Sequence, residues 1–82
     1  MAIIAGENTD LYVRGIRLHV QTEDWGNTEK SLISRIFKSG AVVKTYKLPY
    51  EKIPLATDAQ QRRKALIQLH QYVIEQAQKD TI

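Results

Sequence analysis

The 82-residue chain contains no cysteine. Disulfides and thiolate metal sites are excluded together. Its two histidines, His19 and His70, fall on different expected elements and form no ligand motif, so no metal site is expected. There is no glycine-rich phosphate loop, no HExxH helix and no paired carboxylates with a pocket. No Ser or Asp stands in a triad motif around His19. No catalytic residue and no cofactor is expected, and an enzyme is the class with least support. No run approaches the roughly 20 apolar residues of a membrane span. The start, Met1-Ala2-Ile3-Ile4-Ala5-Gly6, lacks the basic region and the long apolar core of a signal peptide. These absences give a cytoplasmic expectation with no membrane partner, and the lack of cysteine fits a reducing compartment.

Charge is present but uneven. The net value is +3. Within residues 30–52, Lys30, Arg35, Lys38, Lys44, Lys47 and Lys52 stand against Glu51 alone, whereas residues 1–29 are acidic on balance. The basic character therefore sits in a middle hairpin and not in a tail. A solvated face paired with the acidic first strand accounts for it, as does a surface for an acidic partner.

The hydrophobic pattern predicts an α+β fold: an antiparallel three- to four-stranded β-meander followed by one long C-terminal amphipathic helix. Residues 1–82 form a single small domain, with 1–9 as a mobile end or short edge strand. Residues 11–23 read as β, and from Ile16 the alternation is clean. Ile16, Leu18, Val20 and Thr22 share one face, while Arg17, His19, Gln21 and Glu23 share the other. Arg14-Gly15 can turn tightly and make Asp10–Val13 a partner strand. After a polar loop, strands are expected at 31–38 and 41–48, joined by Ser39-Gly40 as a two-residue turn. Pro49 ends the last strand. Thr57 or Asp58 caps a helix over 58–79, whose apolar stripe is Ala59, Leu66, Leu69, Val73 and Ala77.

A two-residue turn at Ser39-Gly40 places Phe37 opposite Val42, Arg35 opposite Lys44 and Ile33 opposite Tyr46 on one face. Ile36, Ser34 and Leu32 then oppose Val43, Thr45 and Lys47 on the other. Both faces are partly apolar, and one helix covers only one of them. A core this small often needs a partner subunit. The expectation is a homodimer, formed through the uncovered face or the helix shoulder of Ile67 and Ile74.

The candidate binding residues are Trp25, Arg35, Lys38, Lys44, Lys47, Arg62, Arg63 and Lys64. Trp25, the only tryptophan, lies in a charged loop and serves either as a lid on the core edge or as a stacking anchor. His19 reads as a solvated strand residue, and His70 as a packed histidine at the edge of the helix stripe. Arg62-Arg63-Lys64 opens the helix where cations oppose its dipole, which hints at an anionic contact. Arg35 facing Lys44 would be relieved by an anion. The leading functional reading is a homodimeric interaction module with an unknown protein partner. The alternative is nucleic-acid binding through the basic hairpin.

The segments His19-Val20-Gln21-Thr22-Glu23-Asp24 and Phe37-Lys38-Ser39-Gly40-Ala41-Val42-Val43-Lys44, followed by Tyr50, resemble a family of short bacterial proteins. In that family an HVQTED-like strand precedes a glycine-turn hairpin and a tyrosine. The resemblance spans residues 12–50. It implies a bacterial source and a β-meander, and it carries no activity. In topology alone, strands followed by a helix that opens with basic residues are similar to the end of a double-stranded RNA-binding domain. This chain lacks that domain's first helix, and fold likeness is no argument for function.

Overall fold

A computed structural model describes residues 3–79. Four antiparallel strands run in the order β1-β2-β3-β4: β1 (Glu7–Val13), β2 (Ile16–Asp24), β3 (Ser31–Lys38) and β4 (Ala41–Pro49). A short 3₁₀ turn, Tyr50–Lys52, leads toward α1 (Ala59–Lys79), the one α-helix among the described residues. The fold is the expected α+β meander with a C-terminal helix.

The two tight hairpins share one turn chemistry. Arg14 and Gly15 have φ of 52° and 80°, and Ser39 and Gly40 have 52° and 81°. Positive φ at both central residues is the type I′ pattern, whose twist matches that of paired strands. Glycine takes the second position in each turn because it enters that region without a Cβ penalty. The β2–β3 connection is wider and closes on Trp25, whose N–H donates to the Ser31 carbonyl at 2.9 Å. The Trp25 carbonyl in turn accepts from the backbone of Glu29 at 2.8 Å and Lys30 at 3.1 Å.

Strand β1 begins three residues before the expected Asp10. Glu7, Asn8 and Thr9 pair with Thr22, Gln21 and Val20, so part of the stretch read as a mobile end is sheet. Met1 and Ala2 lie outside the described residues. The β3–β4 register departs from simple counting. Phe37 faces Val42 as expected, but Ile36 faces Lys44, which leaves Val43 as an extra residue. Such a bulge shifts every later pair by one. Arg35 therefore faces Thr45 and not Lys44, Ile33 faces Lys47, and Leu32 faces Leu48.

Asp58 caps α1. Its Oδ1 accepts the Gln60 N–H at 2.9 Å, and its carbonyl accepts that of Arg62 at 3.1 Å. The buried line of the helix is Arg62, Leu66, His70, Val73 and Ala77. The stripe is thus rotated from the expected one: Leu69 is half-buried and Ala59 exposed. Beneath the helix, Leu18, Val20 and Ile36 meet Val73 and Ala77, while Leu32 and Ile53 meet Leu66. Full burial of such an aliphatic side chain is worth about 1.5–3 kcal/mol. Ile16, expected inside, is 39% exposed because it borders the Arg14-Gly15 turn at the sheet's end. The helix packs over β1, β2 and β3 and leaves β4 at its margin.

Candidate functional site

The helix-facing side of the sheet holds a buried polar layer as well as the core. The β2 alternation that places Leu18 and Val20 inward carries on to Thr22 and Asp24, and both are buried. Thr22 Oγ1 lies 2.7 Å from Ser34 Oγ and 2.7 Å from His70 Nδ1. The other ring nitrogen of His70, Nε2, lies 2.8 Å from Thr9 Oγ1. A neutral imidazole has one donor and one acceptor nitrogen, so the chain Thr9–His70–Thr22–Ser34 can be satisfied without a charge. Burial pushes the His70 pKa down, which keeps the ring neutral.

About two helix turns before His70, Arg62 enters the same layer. Its Nε lies 3.5 Å from Asp24 Oδ2, and both side chains are almost wholly removed from solvent. Arg62 Nη1 also donates to the Ala56 carbonyl at 2.6 Å. The Tyr50 hydroxyl donates to Asp24 Oδ1, and the Tyr50 ring lies under the guanidinium at 5.6 Å. The Ile4 N–H donates to Asp24 Oδ2 at 3.3 Å. Burial, the hydrogen bond to Asp24 and that carboxylate's charge push the Tyr50 pKa up to about 12. This cluster fastens the chain start, the end of β2, the segment after β4 and the helix start to one another.

The opposite sheet face carries cross-strand ion pairs. Asp10 meets Arg17 at 3.1 Å and His19 Nδ1 at 2.8 Å. Hydrogen bonds from His19 and Arg17 hold the Asp10 carboxyl below its usual range. Glu23 meets Arg35 at 3.0 Å, and Glu29 meets Lys47 at 3.3 Å. The Arg35 guanidinium is stacked between Trp25, 5.1 Å away, and Phe37, 5.3 Å away. Ile33 is only 5% exposed although no helix covers it. Ile33 is thus enclosed by its neighbours, whereas Tyr12 and Val42 on the same face stay exposed, at 72% and 46%. A concavity of about 490 Å³ lies beside Asp10, Arg17, His19, Gln21 and Phe37.

The eight candidate residues do not converge. Trp25 and Arg35 stack together, and Lys47 shares their face. Lys44 lies on the helix side, 5.3 Å from the Tyr46 ring, and Lys38 stands at the hairpin end. Arg62 is interior and not a surface cation. Arg63 leans to the β1 flank, donating to the Ala5 carbonyl at 2.7 Å and to Glu7 at 2.8 Å. Lys64 is exposed on the helix. The direct opposition of Arg35 and Lys44, and the anion it invited, is removed by the Val43 bulge. His19 is engaged with Asp10 and Asn8 and is not merely solvated.

What sequence reading missed is a trough between α1 and β4. The helix lies off β4, so the helix-facing side chains of that strand, Tyr46 and Leu48, form a half-buried floor. Leu48, Ile53, Pro54, Ala65, Leu69 and Tyr72 line a cavity of about 290 Å³, with Lys52 and Gln68 at its rim. Tyr72 is 51% exposed and meets Tyr46 edge to face at 6.0 Å. Leu55, next to Pro54, is held at φ 57° with 72% of its surface exposed. A left-handed conformation is costly for a leucine, and this one points an apolar side chain outward. The signal in the sequence was Ala65, Leu69 and Tyr72 recurring on one helix shoulder.

Among the described residues, no helix is long and apolar enough to cross a membrane. Compared with family models, with curated proteins and with solved structures, the chain matches none.

Proposed function

We propose that this chain is a protein-interaction module of the bacterial cytoplasm that docks its partner in the trough between α1 and β4. The observation that carries the reading is the offset of the helix. Its body lies over β1–β3, so Tyr46, Leu48 and Tyr72 form an apolar surface at the open margin of the domain. Exposed aromatic surface beside a pocket is what interface anchors are made of.

Three observations support binding over catalysis and this surface over the alternatives. His70 spends both ring nitrogens on Thr9 and Thr22, leaving neither for a substrate. The outer sheet face is occupied by its own ion pairs, which weakens the case for a homodimer through it. Nucleic acid is less well supported as the partner, because Arg35, Lys47 and Arg63 are each held by a carboxylate and Arg62 is interior.

A photocrosslinking residue placed at Tyr72, with the more exposed Tyr12 as control, tests the reading in the source cell. Position 72 should give a discrete crosslinked polypeptide that position 12 does not. Identical patterns from both positions would reject the trough as the docking surface.

A further inference from the structure

We infer that the free edge of β1 pairs with the β1 edge of a second copy, antiparallel across a two-fold axis, joining two four-stranded sheets into one. This surface is separate from the trough and goes beyond it.

The two edges of the sheet differ in kind. Backbone groups alternate in direction along a strand, and the Tyr50 N–H points back to the Lys30 carbonyl. Thr45, Lys47 and Pro49 therefore face the β4 edge. Proline has no donor there, Lys47 is charged, and the extra Val43 bends the strand. These are the devices that stop an edge from recruiting another strand. β1 has none of them. It holds no proline, lysine or arginine, and it pairs with β2 from Glu7 to Val13 without a bulge. Val13 and Ile16 flank a two-residue turn and so form a hydrogen-bonded pair. Alternation then aims Thr9 and Leu11 at β2 and turns the backbone of Asn8, Asp10 and Tyr12 outward. Among the described residues no other strand meets them. The carboxylate of Asp10 is already held by Arg17 and His19, which reduces its repulsion of an incoming strand.

Symmetry selects a register. Outward-facing residues must meet outward-facing ones, so the axis passes through a residue, and a two-fold axis opposes that residue to itself. Asp10 on the axis would set two carboxylates against each other, which is destabilising. Thr9 on the axis would lay Glu7 against Leu11. Leu11 on the axis avoids both conflicts. It then faces its own equivalent in a non-hydrogen-bonded pair, about 4.5 Å between Cα atoms. Asp10 faces Tyr12 of the second copy, Thr9 faces Val13, and the outward N–H and C=O groups of Asp10 and Tyr12 gain partners.

The helix side of this edge favours a second copy over an unrelated extended strand. Arg63 touches Glu7 and His70 touches Thr9, so α1 runs alongside β1 and next carries Ile74 toward Leu11. Leu11, Val13 and Ile74 are only half-buried, and Ile67 on the same shoulder is 36% exposed. A lone added strand would leave that shoulder in water. A second copy brings its own helix to it, because an axis normal to the sheet keeps both helices on one side. The helix packs chiefly on β2, and β2 would lie three strand spacings, about 14 Å, from its equivalent. Helices about 10–12 Å across then stand flank to flank above the seam. Between Ala65 and Ile74 the helix has no lysine, arginine, aspartate or glutamate to oppose itself.

The chain has no cysteine, so a single introduced one reports the register. Leu11→Cys should form an intermolecular disulfide on mild oxidation, since Cα atoms about 4.5 Å apart lie within the span of a disulfide. Thr45→Cys, on the other edge, should not. Light scattering of the full chain over a dilution series should show a dimer. Tyr12→Pro removes an outward N–H and no bond within the chain, and should weaken the dimer at least about tenfold, or 1.4 kcal/mol. Thr45→Pro, the matching change on β4, should leave it intact, with circular dichroism showing that both variants keep the fold. In the unaltered chain the amides of Asp10 and Tyr12 should exchange more slowly than those of Thr45 and Lys47. A monomer at every concentration, equal exchange at the two edges, or equal disulfide formation by both cysteine variants would overturn the inference. So would a dimer that Tyr72→Asp dissolves, which would seat the second copy in the trough. A crosslink from position 12 to a different polypeptide would give the edge to another protein and overturn it as well.

Discussion

The Arg62 guanidinium and the Asp24 carboxylate lie 3.5 Å apart with their side chains 1% and 0% exposed. Neither charge has water to fall back on. Removing one partner of such a pair leaves the other buried and uncompensated, at a cost of about 3–5 kcal/mol. A domain of this size has little more than that in total. Arg62→Ala is expected to be largely unfolded at room temperature, and urea denaturation followed by far-UV circular dichroism measures it. Changing both residues together, Asp24→Leu with Arg62→Met, is expected to cost less than Arg62→Ala alone.

Tyr50 reports on the same cluster from another side. Its hydroxyl donates to Asp24, and its pKa is pushed up to about 12. Alkaline titration by ultraviolet absorbance should therefore leave one tyrosine protonated until about pH 12, for as long as the fold holds. Tyr50→Phe should remove that late step. It also deletes a hydrogen bond to a charged group, worth about 1.5–3 kcal/mol. A shift of the urea midpoint without a change of slope would show that stability alone had moved.

His70 makes stability depend on pH. Its folded-state pKa is lowered from the ordinary 6.5 by burial. As pH falls below that value the unfolded chain takes up a proton before the folded one does. The stability held by the neutral ring is complete above about pH 6.5 and is lost as pH drops toward the folded-state pKa. In a His19→Gln background, which leaves one imidazole, the urea midpoint at pH 7.5 should exceed that at pH 5.5. His70→Gln should lower stability at neutral pH by about 1–3 kcal/mol and flatten this window. An unchanged slope between the two pH values would show that His70 is not its source.

The stack of Arg35 between Trp25 and Phe37 gives the outer face an optical handle. A planar guanidinium stacks on rings in a way an ammonium does not. Arg35→Lys should redden and broaden the emission of Trp25, the only tryptophan, while the cost in stability stays near 0.5–1 kcal/mol. Emission identical to the parent would mean that the stack is not held in solution.

Gly6 tests the start of β1. A Cβ at this position would approach the Thr22 carbonyl oxygen to 2.5 Å, and that oxygen belongs to the backbone of the neighbouring strand. Gly6→Ala should therefore push residues 5–7 off β2 and destabilise by about 1–3 kcal/mol. Hydrogen exchange should show faster opening there than at the β2–β3 pairs.

Local pattern along the chain was enough to place the elements and their order. Alternation from Ile16 to Glu23 placed Leu18, Val20 and Thr22 on the core side, glycines at 15 and 40 located both tight turns, and Asp58 was one of two caps offered for the helix. All of these depend on neighbours close along the chain. Which polar residues went inside depended on long-range packing. Arg62 and Arg63 are adjacent and alike in the sequence, yet a helix turns about 100° per residue. The docked phase of α1 therefore buries Arg62 against Asp24 and leaves Arg63 beside Glu7. The same holds for β4. A strand changes face at every residue, so the one extra residue at Val43 shifted the pairing of Arg35 and Ser34 and put Tyr46, with Leu48, on the helix side. No local pattern announces a bulge or fixes the rotation of a helix on a sheet. Both are settled by packing against residues distant in the chain, and that packing created the trough.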